Sequence, residues 1–466
     1  MRSRRPVLVL LVGWMTCSGC LSGPDAVEWH QRAGRILDDA GGGPLRGLPT
    51  ATLLAAIYCE EQALAMDSSL VAAAQSLGAL HTARGSFGRA TVHFRDLVQL
   101  LPDDPRPYAG LGRALAAQGR FSGALRAFQD ALRRNPETEL KSAVYNRLGH
   151  TYQALGHEAQ HLRSAEATYR ASLQMDAGQP DILYHLARVL SRLERPDEAL
   201  LLYRKALELA PDDTGIRVEL AAAYVQVGRR EAAEAVLRSG LERHPDADLQ
   251  YEVGRLAYGS GQTEVALASF RAAQRADSSL TAAVRYEGRI LTELGRGPEA
   301  LAVFARLRRL LPDAAAPRVS AGIVLSGMGR LDEAEMAFRE ALLVDDSGDA
   351  AVKLGGLLVH QNRLSEARRI YTEGVGLHPR NAELHASLGN TYLTLGVLGA
   401  ALKAAETAVS LEPDEPVWQF HLANVYERLD PDAAPAAWER YLELARDTGQ
   451  ERERAMIARA RLQELR

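Results

Sequence analysis

The stretch whose residue types and spacing match a catalytic pattern is His157-Glu158-Ala159-Gln160-His161. Two histidines four apart on one helix face hold a zinc ion, and a Glu beside the first activates a water. The surroundings favour a plainer reading, a solvated helix turn. Gly156 closes the preceding helical pattern, and neither Ser164 nor Ala167 supplies the Gly and His of the longer zinc signature. A third ligand from Glu194 or Glu198 has no support in the spacing. The run Gly41-Gly42-Gly43-Pro44 lacks the Lys-Ser/Thr of a phosphate cradle and follows no strand pattern, which makes it an insertion loop. No metal, cofactor or catalytic residue is assigned. A zinc-dependent hydrolase using His157, Glu158 and His161 stands as the enzyme alternative.

The 3 cysteines also have chemistry open to them. Residues 1–19 read as a secretory signal: Arg2, Arg4 and Arg5, an apolar run from Val7 to Met15, then small residues. That run makes a helix of about 14 Å, too short for a hydrocarbon core of about 30 Å. Cys17-Ser18-Gly19-Cys20 resembles a bacterial lipoprotein signal, with Cys17 where that family usually has Leu. The resemblance implies that Cys20 becomes the lipidated first residue, that residues 20–26 form a tether, and that the protein sits in the cell envelope, facing the periplasm from the outer membrane. Cys59 is then the single thiol of the mature chain, set in a helical pattern as a buried small hydrophobe, and no disulfide framework exists.

The elements that must position any such group are short and repeated. In Pro180 to Asp213, Leu183, Leu186, Ala187 and Leu190 recur at helical spacing, and Ala199, Leu202, Tyr203, Ala206 and Leu209 repeat the pattern. Two amphipathic helices follow. Leu193 to Pro196 separates them, Asp197 is placed to cap the second, and Pro211-Asp212-Asp213 ends that helix and caps the next. Neither helix buries its apolar stripe alone, so copies must stack into a continuous core. Composition agrees: 47% of residues are hydrophobic and 6% aromatic, as thin helical layers require. With 55 Lys and Arg against 59 Asp and Glu, a general nucleic-acid role is disfavoured.

The end-of-unit prolines give the period: Pro102 to Pro136, Pro211 to Pro245 and Pro379 to Pro413 are each 34 apart. Gly112, Ala124, Phe128, Ala131 and Pro136 in one unit, and Gly288, Ala300, Phe304, Leu307 and Pro312 in another, resemble the tetratricopeptide repeat. The resemblance implies an all-α, right-handed superhelical solenoid of helix-turn-helix units. About 12 repeats span residues 27–449, the first one irregular, and a charged helix at 450–466 caps the stack. Gly112, Gly149, Gly254, Gly288, Gly322, Gly355 and Gly389 are expected where paired helices approach most closely, answered by Ala199, Ala233, Ala266, Ala334 and Ala367. Phe94, Phe128, Tyr169, Tyr203, Phe270, Phe304, Phe338 and Tyr371 are expected in the core. The unit holding His157 is longer than its neighbours, with space for its second helix to start a turn early.

In this family the first helices line a groove, and exposed positions two, five, nine and twelve of each unit contact an extended peptide or partner helix. Carried over residue by residue, the groove holds Arg113, Asn146, His150, Tyr184, Arg188, Tyr251, Arg255, Tyr258, Arg285 and Arg289. The resulting expectation is a basic, Tyr-bearing groove for an acidic protein segment, with Arg supplying forked hydrogen bonds. No unit pairs Lys at position five with Asn at position nine, so the grip on a chaperone's C-terminal carboxylate known in this family is missing. The expected function is a non-catalytic scaffold at a bacterial membrane, with a soluble periplasmic binding module as the further alternative. The partner and the oligomeric state are not written in the sequence.

Overall fold

The structure, a computed structural model, describes residues 24–40, 45–156, 158–345, 347–445 and 449–465; Cys20, His157 and residues 41–44 lie outside these. Among the described residues there are 25 α-helices and one 3-10 turn, Leu45–Gly47, with no strand. The fold is all-α. The chain divides into two compact units, Met1–Val236 and Leu237–Arg466.

In the first unit α1 (Ala26–Asp39) and α2 (Thr50–Met66) form the irregular pair. Regular pairs follow: α3 (Val71–Ala83) with α4 (Phe87–Leu100), α5 (Pro105–Ala117) with α6 (Phe121–Arg133), α7 (Thr138–Leu155) with α8 (Ala159–Met175), and α9 (Pro180–Arg192) with α10 (Pro196–Leu209). Next come α11 (Thr214–Gln226) and α12 (Arg230–Arg243), the latter running across the division. The second unit holds α13 (Ala247–Gly259) with α14 (Thr263–Ala276), α15 (Thr281–Glu293) with α16 (Gly297–Leu310), and α17 (Ala316–Gly327) with α18 (Leu331–Leu342). After these come α19 (Asp349–His360) with α20 (Leu364–Leu377), α21 (Ala382–Thr394) with α22 (Leu398–Leu411), α23 (Pro416–Leu429) with α24 (Ala434–Leu444), and α25 (Gly449–Glu464). Below, the first helix of each pair is its A helix and the second its B helix.

From α1 to α10 and from α13 to α24 each A helix packs on its own B helix, and A helices of neighbouring repeats also meet, α5 with α7 and α19 with α21 among them. This is the stacking that two short amphipathic helices need in order to exclude water from both apolar stripes. Asp104, Asp213, Asp246 and Asn381 accept hydrogen bonds from the backbone N–H groups at the starts of α5, α11, α13 and α21. Asp213 therefore caps as expected. Asp197 does not: the cap position of α10 is Arg195, and Asp197 lies inside the first turn, where its charge meets the positive end of the helix.

The expected aromatic residues are buried: Phe128, Tyr169 and Phe270 have no exposed surface. The glycines face them. A Cβ on Gly112 would lie 2.5 Å from Phe128, one on Gly149 2.4 Å from Tyr169, and one on Gly355 2.4 Å from Tyr371. Ala199, Ala233, Ala266, Ala334 and Ala367 are fully buried, yet at these positions the group standing over the glycine is the ring. Gly389 shows the alternative. Its repeat has Ala405 where others have an aromatic, so backbone closes in instead, and a Cβ on Gly389 would lie 3.3 Å from both Ala401 O and Ala405 N.

The enlarged repeat spends its extra residues on helix. Helices α7 and α8 have 18 and 17 residues against 13 each in α5 and α6. At the far end α25 lays Ala455, Ala458 and Leu462 on a cluster with Trp438 and Tyr441. No helix among the described residues is long and apolar enough to cross a membrane.

Candidate partner-binding face

The zinc-like pattern at His157 to His161 does not sit on one helix. Glu158 has an extended backbone (ψ 137°) at the cap position of α8, which begins at Ala159. His161 follows in the first turn, with Nδ1 4.0 Å from the exposed Glu158 carboxylate. The described part of the pattern thus begins at the cap of α8 rather than inside the helix, and His157 lies outside the described residues. Glu198 is committed elsewhere, 2.6 Å from Arg195 and 3.3 Å from Arg170. Cys59 is buried; burial raises its thiol pKa, against the opposing effect of Arg32, so it stays a protonated hydrophobe.

The expected groove residues fall into two sets, one in each unit. In the first unit α5, α7 and α9 present Arg113, Asn146, His150, Tyr184 and Arg188. Arg113 and Arg147 are exposed, and neither has a carboxylate within ion-pair distance among the described residues. The Arg113 guanidinium pKa is lowered, first by partial desolvation and then by Arg147. Beside them Tyr169 donates to Gln153 Oε1 at 2.8 Å and lies 2.9 Å from His150 Nδ1. His185 stands edge-on to His150 with ring centres 4.4 Å apart, and its Nδ1 is buried without a partner among the described residues. Burial, then the neighbouring His185 and Arg147, lower the pKa of His150 to about 4; burial and Arg188 do the same to His185. Both rings are neutral at pH 7. Arg188 lies over Tyr184 and 4.0 Å from Glu219, next to a cavity of about 240 Å³ lined also by Ser191, Tyr203 and Gln226.

In the second unit two of the three counterpart arginines, Arg255 and Arg289, are already paired. Arg255 pairs with Glu252 at 3.0 Å, and Arg289 with Glu293 at 3.0 Å. Tyr258 donates to Glu293 at 2.7 Å; with Arg289 it holds that carboxyl below its ordinary pKa against the effect of burial. Tyr286 stacks on Phe270 at 4.8 Å and meets both Tyr251 and Tyr258 edge-on. Arg285 is exposed, without an acid partner among the described residues. This face is aromatic and close to charge balance.

Arg147, His185 and Tyr286 were missed by the sequence reading. All stand at position six of their repeats, one residue beyond the exposed position five, and that column (Arg147, His185, Glu219, Glu252, Tyr286) was the signal available.

Family models described as tetratricopeptide repeat match residues 81–146 and 192–253, residues 158–214, 251–315 and 319–382, and residues 382–415. The chain belongs to the tetratricopeptide repeat family. Proteins built from these repeats bind other proteins or peptides and are typically non-catalytic. This tetratricopeptide repeat protein is 25% identical over 215 residues to Hsp70-Hsp90 organizing protein 1 of Glycine max, covering 45% of this chain and 32% of that one. It is 29% identical over 180 residues to cellulose synthase operon protein C of Xanthomonas axonopodis pv. citri, covering 35% and 11%. To the protein of the same description in Pseudomonas fluorescens it is 23% identical over 375 residues, covering 78% and 27%. The chain therefore spans about a third or less of each of these relatives. Among solved structures it resembles yeast Tom70 at a TM-score of 0.44 and 14% identity, covering 94% of this chain and 96% of that one.

Proposed function

We propose that the protein is a non-catalytic scaffold held at a bacterial membrane by lipid on Cys20, presenting the A-helix faces of its repeats to segments of partner proteins. The observation that carries this reading is the division of labour within each repeat. The B helix and the glycine-facing ring fill the packed core, while the outer A-helix positions hold Arg, Tyr, Asn and His side chains that are exposed or half-buried, the tyrosines with one side against the core. Tyr offers flat contact area at small entropic cost, and Arg offers a fork of donors. A role in assembling an envelope complex is supported by the similarity to two bacterial proteins described by a cellulose synthase operon, one of them along 78% of this chain.

Two measurements test this. Cys20→Ser is expected to move the protein from the membrane fraction to the soluble periplasmic fraction; retention in the membrane would remove the anchor from the proposal. Photo-cross-linkers placed at Tyr184 and Tyr258 in cells are expected to capture partner proteins, and a cross-linker at exposed Leu201 on α10 is expected not to.

A further inference from the structure

The two A-helix faces differ in what they leave unpaired. We infer that the face of α5, α7 and α9 in the first unit is the reader of acidic side chains, with Arg113 and Arg147 as the gripping pair, and that the second unit's face does not share this role. The inference rests on the proposed partner-binding use of these faces and assigns its chemistry.

Helix α5 contains no Asp or Glu, and α7 contains only Glu139, in its added first turn. Two guanidiniums on adjacent helices thus repel each other with no acid between them. A carboxylate placed between them relieves that repulsion and accepts forked, charge-assisted hydrogen bonds from both. The acids that do reach this face come from α9 and α11. Asp181 acts on His150 without reversing its lowered pKa, and Glu219 is the acid nearest Arg188. Asn146 is no donor to such a carboxylate, since its Nδ2 donates to Gln179 and its buried Oδ1 is an acceptor. His150 and His185 are neutral bystanders that sense the field. In the second unit Glu252 and Glu293 already occupy Arg255 and Arg289, so a carboxylate arriving at either must displace an internal one and gains little net electrostatic energy, and Arg285 is left as a single unpaired guanidinium rather than one of a pair.

The test uses the full-length protein and a fluorescein-labelled hexaglutamate probe at low salt. Wild type is expected to bind it, with affinity falling as salt rises. Arg113→Gln with Arg147→Gln is expected to weaken binding by about tenfold or more, the scale of two lost charge-assisted bonds. Arg255→Gln with Arg289→Gln is expected to stay within about twofold. Unchanged thermal melting of both double variants separates recognition from folding. Saturating probe is also expected to raise the NMR pKa values of His150 and His185, since a nearby carboxylate favours the imidazolium. No binding to wild type, equal losses from both variant pairs, or unmoved histidines with bound probe would each overturn the assignment. If hexaglutamate fails while the Tyr184 and Tyr258 cross-linkers still capture partners, only the acid-reading assignment falls; if the cross-linkers capture nothing, the partner-binding reading falls with it.

Discussion

The first and second units are built on one plan and differ in what their outer faces do with charge. In the first, Arg113 and Arg147 stand without acids beside the His150, Tyr169 and Gln153 network. In the second, Arg255 and Arg289 are bound by glutamates of their own helices, and Tyr251, Tyr258 and Tyr286 form a connected aromatic surface. The cores beneath are alike, because glycine against a ring closes helix pairs in both, as at Gly112, Gly149, Gly254 and Gly288. The positions that the packing leaves uncovered are thus the ones that differ, and two stretches of the same repeat acquire different surface chemistry without any change of fold.

That separation predicts a large effect that is the same in both units. Gly149→Ala and Gly355→Ala each drive a methyl into a tyrosine ring, at 2.4 Å in both cases. Overpacking costs about 1 to 3 kcal/mol and outweighs the helix preference for Ala, about 1 kcal/mol. Both variants are expected to melt lower. Gly376→Ala, where nothing lies within 4 Å, is expected to melt at the wild-type temperature or higher. Should Gly149→Ala and Gly355→Ala differ widely, the claim of equivalent cores fails.

Acid should separate the units. His81, His150 and His185 in the first unit and His421 in the second have pKa values lowered to about 4, in each case chiefly by burial. The unfolded chain takes up these protons near the ordinary value of about 6.5. Stability that is complete above that value is therefore lost as pH falls toward 4. His81 is the sharpest case, fully buried with both ring nitrogens unpartnered among the described residues and stacked on His93 at 5.4 Å. Hydrogen exchange at pH 7 and pH 5, corrected for intrinsic rates, is expected to show a greater loss of protection in α3, α7 and α9 than in α15, α17 and α19. Equal losses would remove the histidines as the cause.

The smallest effect lies at the paired arginines. Arg289→Gln breaks an exposed pair, and such pairs contribute about 0 to 1 kcal/mol. Its melting temperature is expected to stay close to wild type, and its unfolding in 0.5 M salt to be indistinguishable. A clear destabilisation would mean that the Tyr258, Glu293 and Arg289 group holds the second unit together.

Much of this was readable from the chain because a repeat array is made of local contacts. Pro102 and Pro136 gave the period, Gly112 and Phe128 the packing pair, and Asp213 its cap, each fixed by residues within about one repeat. Even the Arg255 and Glu252 pair was accessible, since residues three apart on a helix are neighbours. A reading by exposed position alone passed over it and grouped Arg255 and Arg289 with Arg113. The zinc alternative, which its surroundings already disfavoured, has a related limit: the sequence carries the spacing of His157 and His161, whereas ligand geometry depends on the backbone, which is extended at Glu158.

The sequence by itself determined the helices, their pairing and the buried ring in most repeats, because hydrophobic period and chain connectivity admit one local solution. The tertiary structure decided which side chains of different helices meet. Arg113 against Arg147, His150 against Tyr169 and His185, and Glu219 against Arg188 all cross between helices. Their proximity depends on the rotation of each helix about its axis and on the offset from one repeat to the next, quantities of a few ångströms that no residue pattern encodes. Charge is the property most sensitive to those distances, so the fold could be read from the chain and the electrostatics of its candidate binding face could not.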